Sequence, residues 1–305
     1  MNVREINQLR SERDYLKALM DRMPIAEVLN RKSLQHRISQ VESELERTDG
    51  RGTREPAKAI VRFKGDPVVG TYGIFAKFGA IAVSQFTDTL KALAAKFVGA
   101  IVRATGPIPG CGNNEILITG TAPGSFGFIV EEDLDNMECV AEEDGSILQK
   151  AMHKAVRILR SSTESDQLFV DEIDDIDDRI IDDFHDFLKT LSDNKAFCTL
   201  EVDDEHFSFK NEEQVYRSMQ RFVRSNIKED EIELTGKFTG SLLHDRSFEF
   251  ELSPDQVIKG KIDNDNIDPD DIITNCHKQA RIMVHTRKVG DSRTSYKLLS
   301  YAFFD

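Results

Sequence analysis

Residues 278–303 read KQARIMVHTRKVGDSRTSYKLLSYAF. Two alternating runs in it, Ala280 to His285 and Ser295 to Phe303, have the two-residue period of β-strands. They close a series of similar runs: Ile232 to Phe238, Ser247 to Leu252 and Gln256 to Ile262. One helical turn, Asp268-Pro269-Asp270-Asp271-Ile272, interrupts the series, with aspartate at its N-cap and proline at its first helical position. Five short strands and one helical turn over 228–305 predict a small β-barrel of the SH3-like or OB-like kind. The quoted stretch is also cationic. Lys278, Arg281, Arg287, Lys288, Arg293 and Lys297 meet a single acid, Asp291, with His285 and Tyr296 among them. Cations on phosphates and aromatics under bases are how small barrels hold single strands. An acidic protein surface would satisfy the same cations. So would water, at a sheet edge charged against aggregation.

The matching acids lie upstream. The net charge is −14, and residues 131–210 alone carry 24 Asp/Glu against 8 Lys/Arg. Within them, Ile173, Ile176, Ile180, Phe184, Phe187 and Leu191 fall at helical spacing. That spacing predicts one helix from about Leu168 to Leu191, with an outer face made almost wholly of aspartate. Asp174, Asp178 and Asp182 then share a face, and each like-charged pair costs roughly 0.2–0.5 kcal/mol. Together with Asp175 they form a candidate docking surface for a basic partner. A divalent cation would compensate the charge equally well. Ligands for Mg²⁺ or Mn²⁺ ordinarily converge from several elements, however, not from one exposed face. A block this acidic repels free duplex and anionic membrane.

The rest of the chain supplies an arm and a body. Residues 1–47 read as a helical hairpin or coiled-coil arm. One narrow stripe runs through Ile6, Leu9, Leu16, Met20 and Met23, a second through Leu34, Ile38, Val41 and Leu45, and Pro24 breaks the helix between them. Such stripes pair with each other or with another chain. TDGRGTREP, residues 48–56, is a linker. Residues 57–226 read as a central mixed α/β domain, with any further division near 133–145. Its strands are Ala59 to Phe63, an alternating run through Ile74, Ala76 and Phe78, a hairpin of Glu115–Thr119 with Phe126–Glu131, and then Phe197–Val202 and Phe207–Phe209. Ser84 is positioned to cap a helix bearing Phe86, Leu90, Leu93 and Phe97. A second helix carries Ile147, Met152, Val156 and Leu159, and another Val215, Met219 and Phe222. The class is α+β.

No complete motif for catalysis or metal binding is present. Cys111, Cys139, Cys198 and Cys276 form no C-x-x-C and are expected to be free thiols in a reducing compartment, the cytoplasm. No apolar run approaches the ~20 residues of a membrane span, and residues 1–19 lack the apolar stretch of a signal peptide. From Asp263, an EF-hand loop would need an oxygen ligand, a glycine and a glutamate where Ile267, Asp268 and Thr274 stand. Gly120 to Gly127 has no P-loop lysine, and Ser125 lacks the first glycine of a nucleophile elbow. None of the seven histidines forms H-x-x-x-H or H-E-x-x-H. No cofactor and no metal is therefore expected. The composite expectation is a non-enzymatic assembly or adaptor subunit without membrane contact. It would form a homo-oligomer or join a protein partner through its arm and its opposed charges. The alternatives are a nucleic-acid module using the basic hairpin and a metal-dependent hydrolase using Asp174 and Asp178.

Overall fold

The computed structural model describes residues 3–24, 28–49, 55–99, 116–122, 126–133, 146–242, 246–253, 256–262 and 267–304. The glycine-proline loop 106–112 with Cys111, the turn 123–125, the possible division with Cys139, most of the linker, His244 and residues 263–266 lie outside them.

Helices α1 (Val3–Arg22) and α2 (Val28–Asp49) pack on one another. Leu9 lies against Val41 and Leu45. Arg37 grips the Glu12 carboxylate through Nε at 2.7 Å and Nη2 at 3.1 Å. Arg31 donates to the carbonyls of Met20 (3.0 Å) and Met23 (2.8 Å). Those are oxygens of the last turn of α1 and of the residue just beyond it, where Pro24 ends the ladder and the Met20 carbonyl otherwise accepts only the Met23 N–H at 3.2 Å.

The body begins with β1 (Lys58–Gly65), the short β2 (Val68–Val69) and β3 (Gly73–Ile74), and α3 (Ala76–Phe97). It continues with β4 (Ile116–Ala122), β5 (Phe126–Glu132), α4 (Ile147–Ser161), α5 (Asp166–Ile173) and α6 (Asp178–Asp193). Then come β6 (Ala196–Val202), β7 (Glu205–Ser208) and α7 (Glu212–Arg221). The main sheet has the order β4-β5-β1-β6-β7, with every pair antiparallel. Alternation decides its buried face. Ala59, Val61 and Phe63 on β1, and Ala196, Cys198, Leu200 and Val202 on β6, join one core with the apolar stripes of α3 to α7. Cys198 stands in register with Phe63 and is fully enclosed.

Three sequence expectations are corrected here. Ala76 and Phe78 are not on a strand: they open α3, whose buried positions Phe78, Ala82, Phe86, Leu90 and Leu93 follow the helical period. Ser84 is not a cap: it lies inside α3, and Phe75 occupies the N-cap with no side-chain bond. The aspartate-rich helix is not continuous. It breaks into α5 and α6, with Asp174 at the C-cap of the first and Asp177 at the N-cap of the second. Six acids between 171 and 178 put like charges on successive turns. Ending one helix and starting another relieves that repulsion and brings Asp178 to a helix N-terminus, where a negative charge is favoured.

The remaining strands are β8 (Ile227–Leu242), β9 (Ser247–Ser253), β10 (Gln256–Ile262), β11 (Gln279–Val289) and β12 (Ser295–Phe304), with α8 (Pro269–Thr274) between β10 and β11. They pair round into a closed ring in the order β10-β12-β11-β8-β9. Every pair is antiparallel except β10 with β12, which is parallel. Phe238, Phe248, Phe250, Ile258, Ile282, Val284 and Leu298 fill the inside. Gly260 makes the closure possible: a Cβ there would stand 2.3 Å from the Tyr296 carbonyl oxygen and 2.6 Å from the Phe248 ring. The ring is fastened to the body at one end, where the register partners Ile227 and Val289 belong to the body's core.

Candidate functional site: the seam between the acidic helices and the strand ring

The structure seats part of the basic hairpin, Arg287 and the 291–293 tip, against the acidic helices. Arg287, chosen from sequence as a surface cation, is 5% exposed and sits in the seam. Its guanidinium donates to the carbonyls of Ile173 and Ile176, the latter at 3.0 Å, and to the Glu229 carboxylate. The carbonyls lie at the break between α5 and α6, where that of Ile173 also accepts the Ile176 N–H at 3.0 Å. Five planar donors suit that task, whereas an ammonium could not span it. The expectation that Arg287 faces a ligand is thus corrected. The alternation of β11 carries it outward from the ring, and outward at that point is the body.

The hairpin tip is engaged too. The Asp291 N–H donates to Asp166 at 3.3 Å and the Arg293 N–H to the Gln167 side-chain carbonyl at 2.9 Å. Arg221 holds the same Asp166 at 2.7 Å. Ser295 donates its hydroxyl to Asp174. The other basic positions do not gather into one patch. Lys278 reaches Asn275 at 2.8 Å beside α8, and Arg281 faces Glu233 at 3.4 Å on the outer surface. Lys288 is half-buried opposite Lys228, and Lys297 lines a cleft described below.

The four candidate acids are likewise engaged within the chain. Asp182 takes both arms of Arg224, at 2.7 and 2.8 Å, and Asp178 meets the same guanidinium at 2.6 Å. Bonding to Asp182, with further support from Asp178, raises the Arg224 pKa above its ordinary value. Asp175 pairs with the nearly enclosed Lys154 at 3.2 Å, as does Glu172. Arg224 and Lys154 were invisible to sequence reasoning. Arg224 lies 42 residues beyond Asp182 and Lys154 18 before Glu172, in runs with no local signal. Among the described residues, no three of His, Cys, Asp and Glu converge as metal ligands. No helix there is long and apolar enough to cross a membrane.

Between α4, α5 and the strands β10 and β12 the seam opens into a cleft of about 540 Å³. Lys154, Arg157, Asp171, Glu172, Asp174 and Asp175 form its helical wall, and Arg246, Lys261 and Lys297 its ring wall. Elsewhere in the body His153 is wedged between carboxylates, its Nδ1 at 2.9 Å from Glu205 and its Nε2 at 2.9 Å from Asp203. On α6, burial pushes the Asp183 carboxyl up to about 6, and its Oδ2 has no hydrogen-bond partner. No family model, no curated protein and no solved structure matches the chain.

Proposed function

We propose that this chain is a non-enzymatic assembly or adaptor subunit that joins a larger complex through its N-terminal helix pair. One observation carries the reading: α1 and α2, 20 and 22 residues long, enclose little among their described side chains. Ile38, Val41 and Leu45 are their only fully buried apolar side chains among the described residues, while Tyr15 is 67% exposed and Leu19 36%. Long helices draw most of their stability from burying an apolar face, not from propensity. A pair this thinly packed gains by covering Tyr15 and Leu19 with another chain. The body and the ring have cores of their own and do not need these helices. Charge matching between copies is not required by this reading, because Asp174, Asp175, Asp178 and Asp182 already have partners in the same chain.

The test is the mass in solution by light scattering. The full chain should run at twice the monomer mass or more, or co-purify with a partner, and removal of residues 1–47 should return a folded monomer. A full chain that is monomeric and partnerless at micromolar concentration ends the proposal.

A second reading has its own support. Counted from β8, the ring runs first, second, third, fifth, fourth and back to the first, with the third and fifth strands parallel and a helix between the third and fourth. That order supports the OB-like reading over the SH3-like one. OB-like barrels often bind single-stranded nucleic acid on their second and third strands and adjoining loops. Here the loop after the fourth strand is taken up by α5, and Arg287 by the α5–α6 break. Lys288, Arg293 and Lys297 are the cations of the hairpin and the fifth strand that a nucleic-acid strand would meet. Replacing those three with alanine should weaken salt-sensitive binding of an oligothymidylate. A flat titration of the unaltered protein at low salt removes this reading.

A further inference from the structure

We propose that the open edge of β4, with the apolar groove beside it, receives an extended, uncharged peptide segment of another protein as an added strand. This surface is separate from the helix pair and does not depend on it.

The ring has no edges, because its strands close on themselves. The main sheet has two. One is β7, four residues long and bearing Glu205 and His206, so it is short and charged, as protected edges are. The other is β4. It runs for seven residues, ILITGTA, and is the only described strand of more than two residues with no ionisable side chain. Among the described residues it pairs on one side alone, with β5, and none of its backbone groups bonds elsewhere. Leu117 is 38% exposed and Ile118 57%. A row of N–H and C=O groups between bare apolar side chains is a template for a further strand. The register with β5 slips once, past Ile118, and is regular on either side of that point.

The groove is a second, independent feature. Alternation puts Ile116 and Ile118 on the core face of the sheet, the face of Phe128 and Val130. Helix α3 covers that face at β1, where Phe78 meets Phe63 with ring centroids 5.5 Å apart. Farther out it leaves a groove of about 590 Å³. Ala80 and Val83 of α3, Ile116 and Ile118 of β4, and Phe126 and Phe128 of β5 line it. No ionisable side chain of the described residues does so. A strand paired with β4 would send every second side chain to this face, beside Ile116 and Ile118. Main-chain bonds would then supply affinity, and the groove would select alternate apolar side chains.

Two observations favour a segment of another protein over a second copy. Seven residues a side fall well short of the roughly 20–30 a side of a stable dimer. Each copy also carries a net charge of −14, so two copies repel on approach. A short uncharged segment is free of both obstacles, since it lays its whole length along the edge.

The experiment is fluorescence anisotropy of the full chain with a dye-labelled peptide of alternating valine and threonine, made soluble by an ethylene-glycol tail. Saturable one-to-one binding is expected. The same peptide with its backbone nitrogens methylated cannot donate ladder bonds and should not bind. Ile118→Lys charges the edge, and Ala80→Arg fills the groove from the helix side. Each should weaken binding by about tenfold or more, because an unpaired charge is costly against an apolar wall. Both positions are exposed, and an unchanged thermal melt will show that the variants fold. Equal binding of the methylated peptide overturns the proposal. So does binding that both variants leave unchanged, or no binding at millimolar concentration. A dimer of the unaltered chain that Ile118→Lys abolishes, and that removal of residues 1–47 leaves intact, makes the occupant a second copy and overturns the proposed partner. The peptide outcomes leave the assembly reading untouched, since its test is the mass lost with residues 1–47.

Discussion

At the scale of single residues, Arg287 shows why a positive charge in a sequence does not locate a binding surface. Its type, spacing and neighbours matched those of Lys288 and Arg293, yet its side chain is enclosed by the backbone of a helix break more than a hundred residues away. Replacing it with alanine strands the Ile176 carbonyl, removes one of two donors from that of Ile173 and leaves Glu229 without its partner, which should cost about 3 kcal/mol in urea unfolding. Arg287→Lys should recover less than half of that, because one ammonium cannot serve all three acceptors. Asp183 makes a different prediction. Its carboxyl is raised from 3.8 to about 6, by burial first, against the pull of Arg179 and with the help of Asp88. The folded state thus keeps a proton that the unfolded chain gives up. This group's contribution is most favourable below 3.8 and is lost as the pH rises through 6. Asp183→Asn should therefore raise stability at neutral pH by about 1 kcal/mol, a figure reduced for the solvent the group still meets. The gain should vanish near pH 4. Melting curves of both proteins across that interval would show it.

At the scale of elements, the regular structure was largely legible because burial enforces periodicity. The strands of the ring, the β6–β7 pair and the stripes of α4 and α7 follow the apolar spacing of the sequence. Legibility failed where two periods coincide or where charge intervenes. Ile74, Ala76 and Phe78 alternate like a strand, but Phe78 also begins the helical series that ends at Leu93 and Ala94, and the longer series wins. The unbroken stripe from Ile173 to Leu191 hid a break dictated by carboxylate crowding, which hydrophobic spacing does not register. Ring closure depended on a glycine no local pattern singles out. Gly260→Ala forces a methyl group onto the Tyr296 carbonyl and the Phe248 ring, and should destabilise the chain by about 3 kcal/mol. Amide exchange in β10 and β12 should rise more than in β11 and β8, since the parallel pair is the one pushed apart.

At the scale of the whole molecule, the opposed charges were legible as composition and their pairing was not. Their separation along the chain suggested a match with some other surface, and in the structure that surface belongs to the same chain. The partners that complete it, Arg224, Lys154 and Ser295, are ordinary residues in sequence and are identified only by where the backbone returns. The seam unites ring and body: Ile227 and Val289 lie in the body's core, and Arg287 spans to the α5–α6 break. Cys198 then becomes a clock for that union. Burial pushes its thiol up to about 12, so almost no thiolate forms while the sheet is intact, and thiolate is the species that alkylating reagents attack. Its modification rate, followed peptide by peptide in a mass spectrometer, reports how often the sheet opens. In the Arg287→Ala protein that rate should climb in step with the lost unfolding free energy, because a ring rooted in the same core cannot swing loose without exposing the thiol.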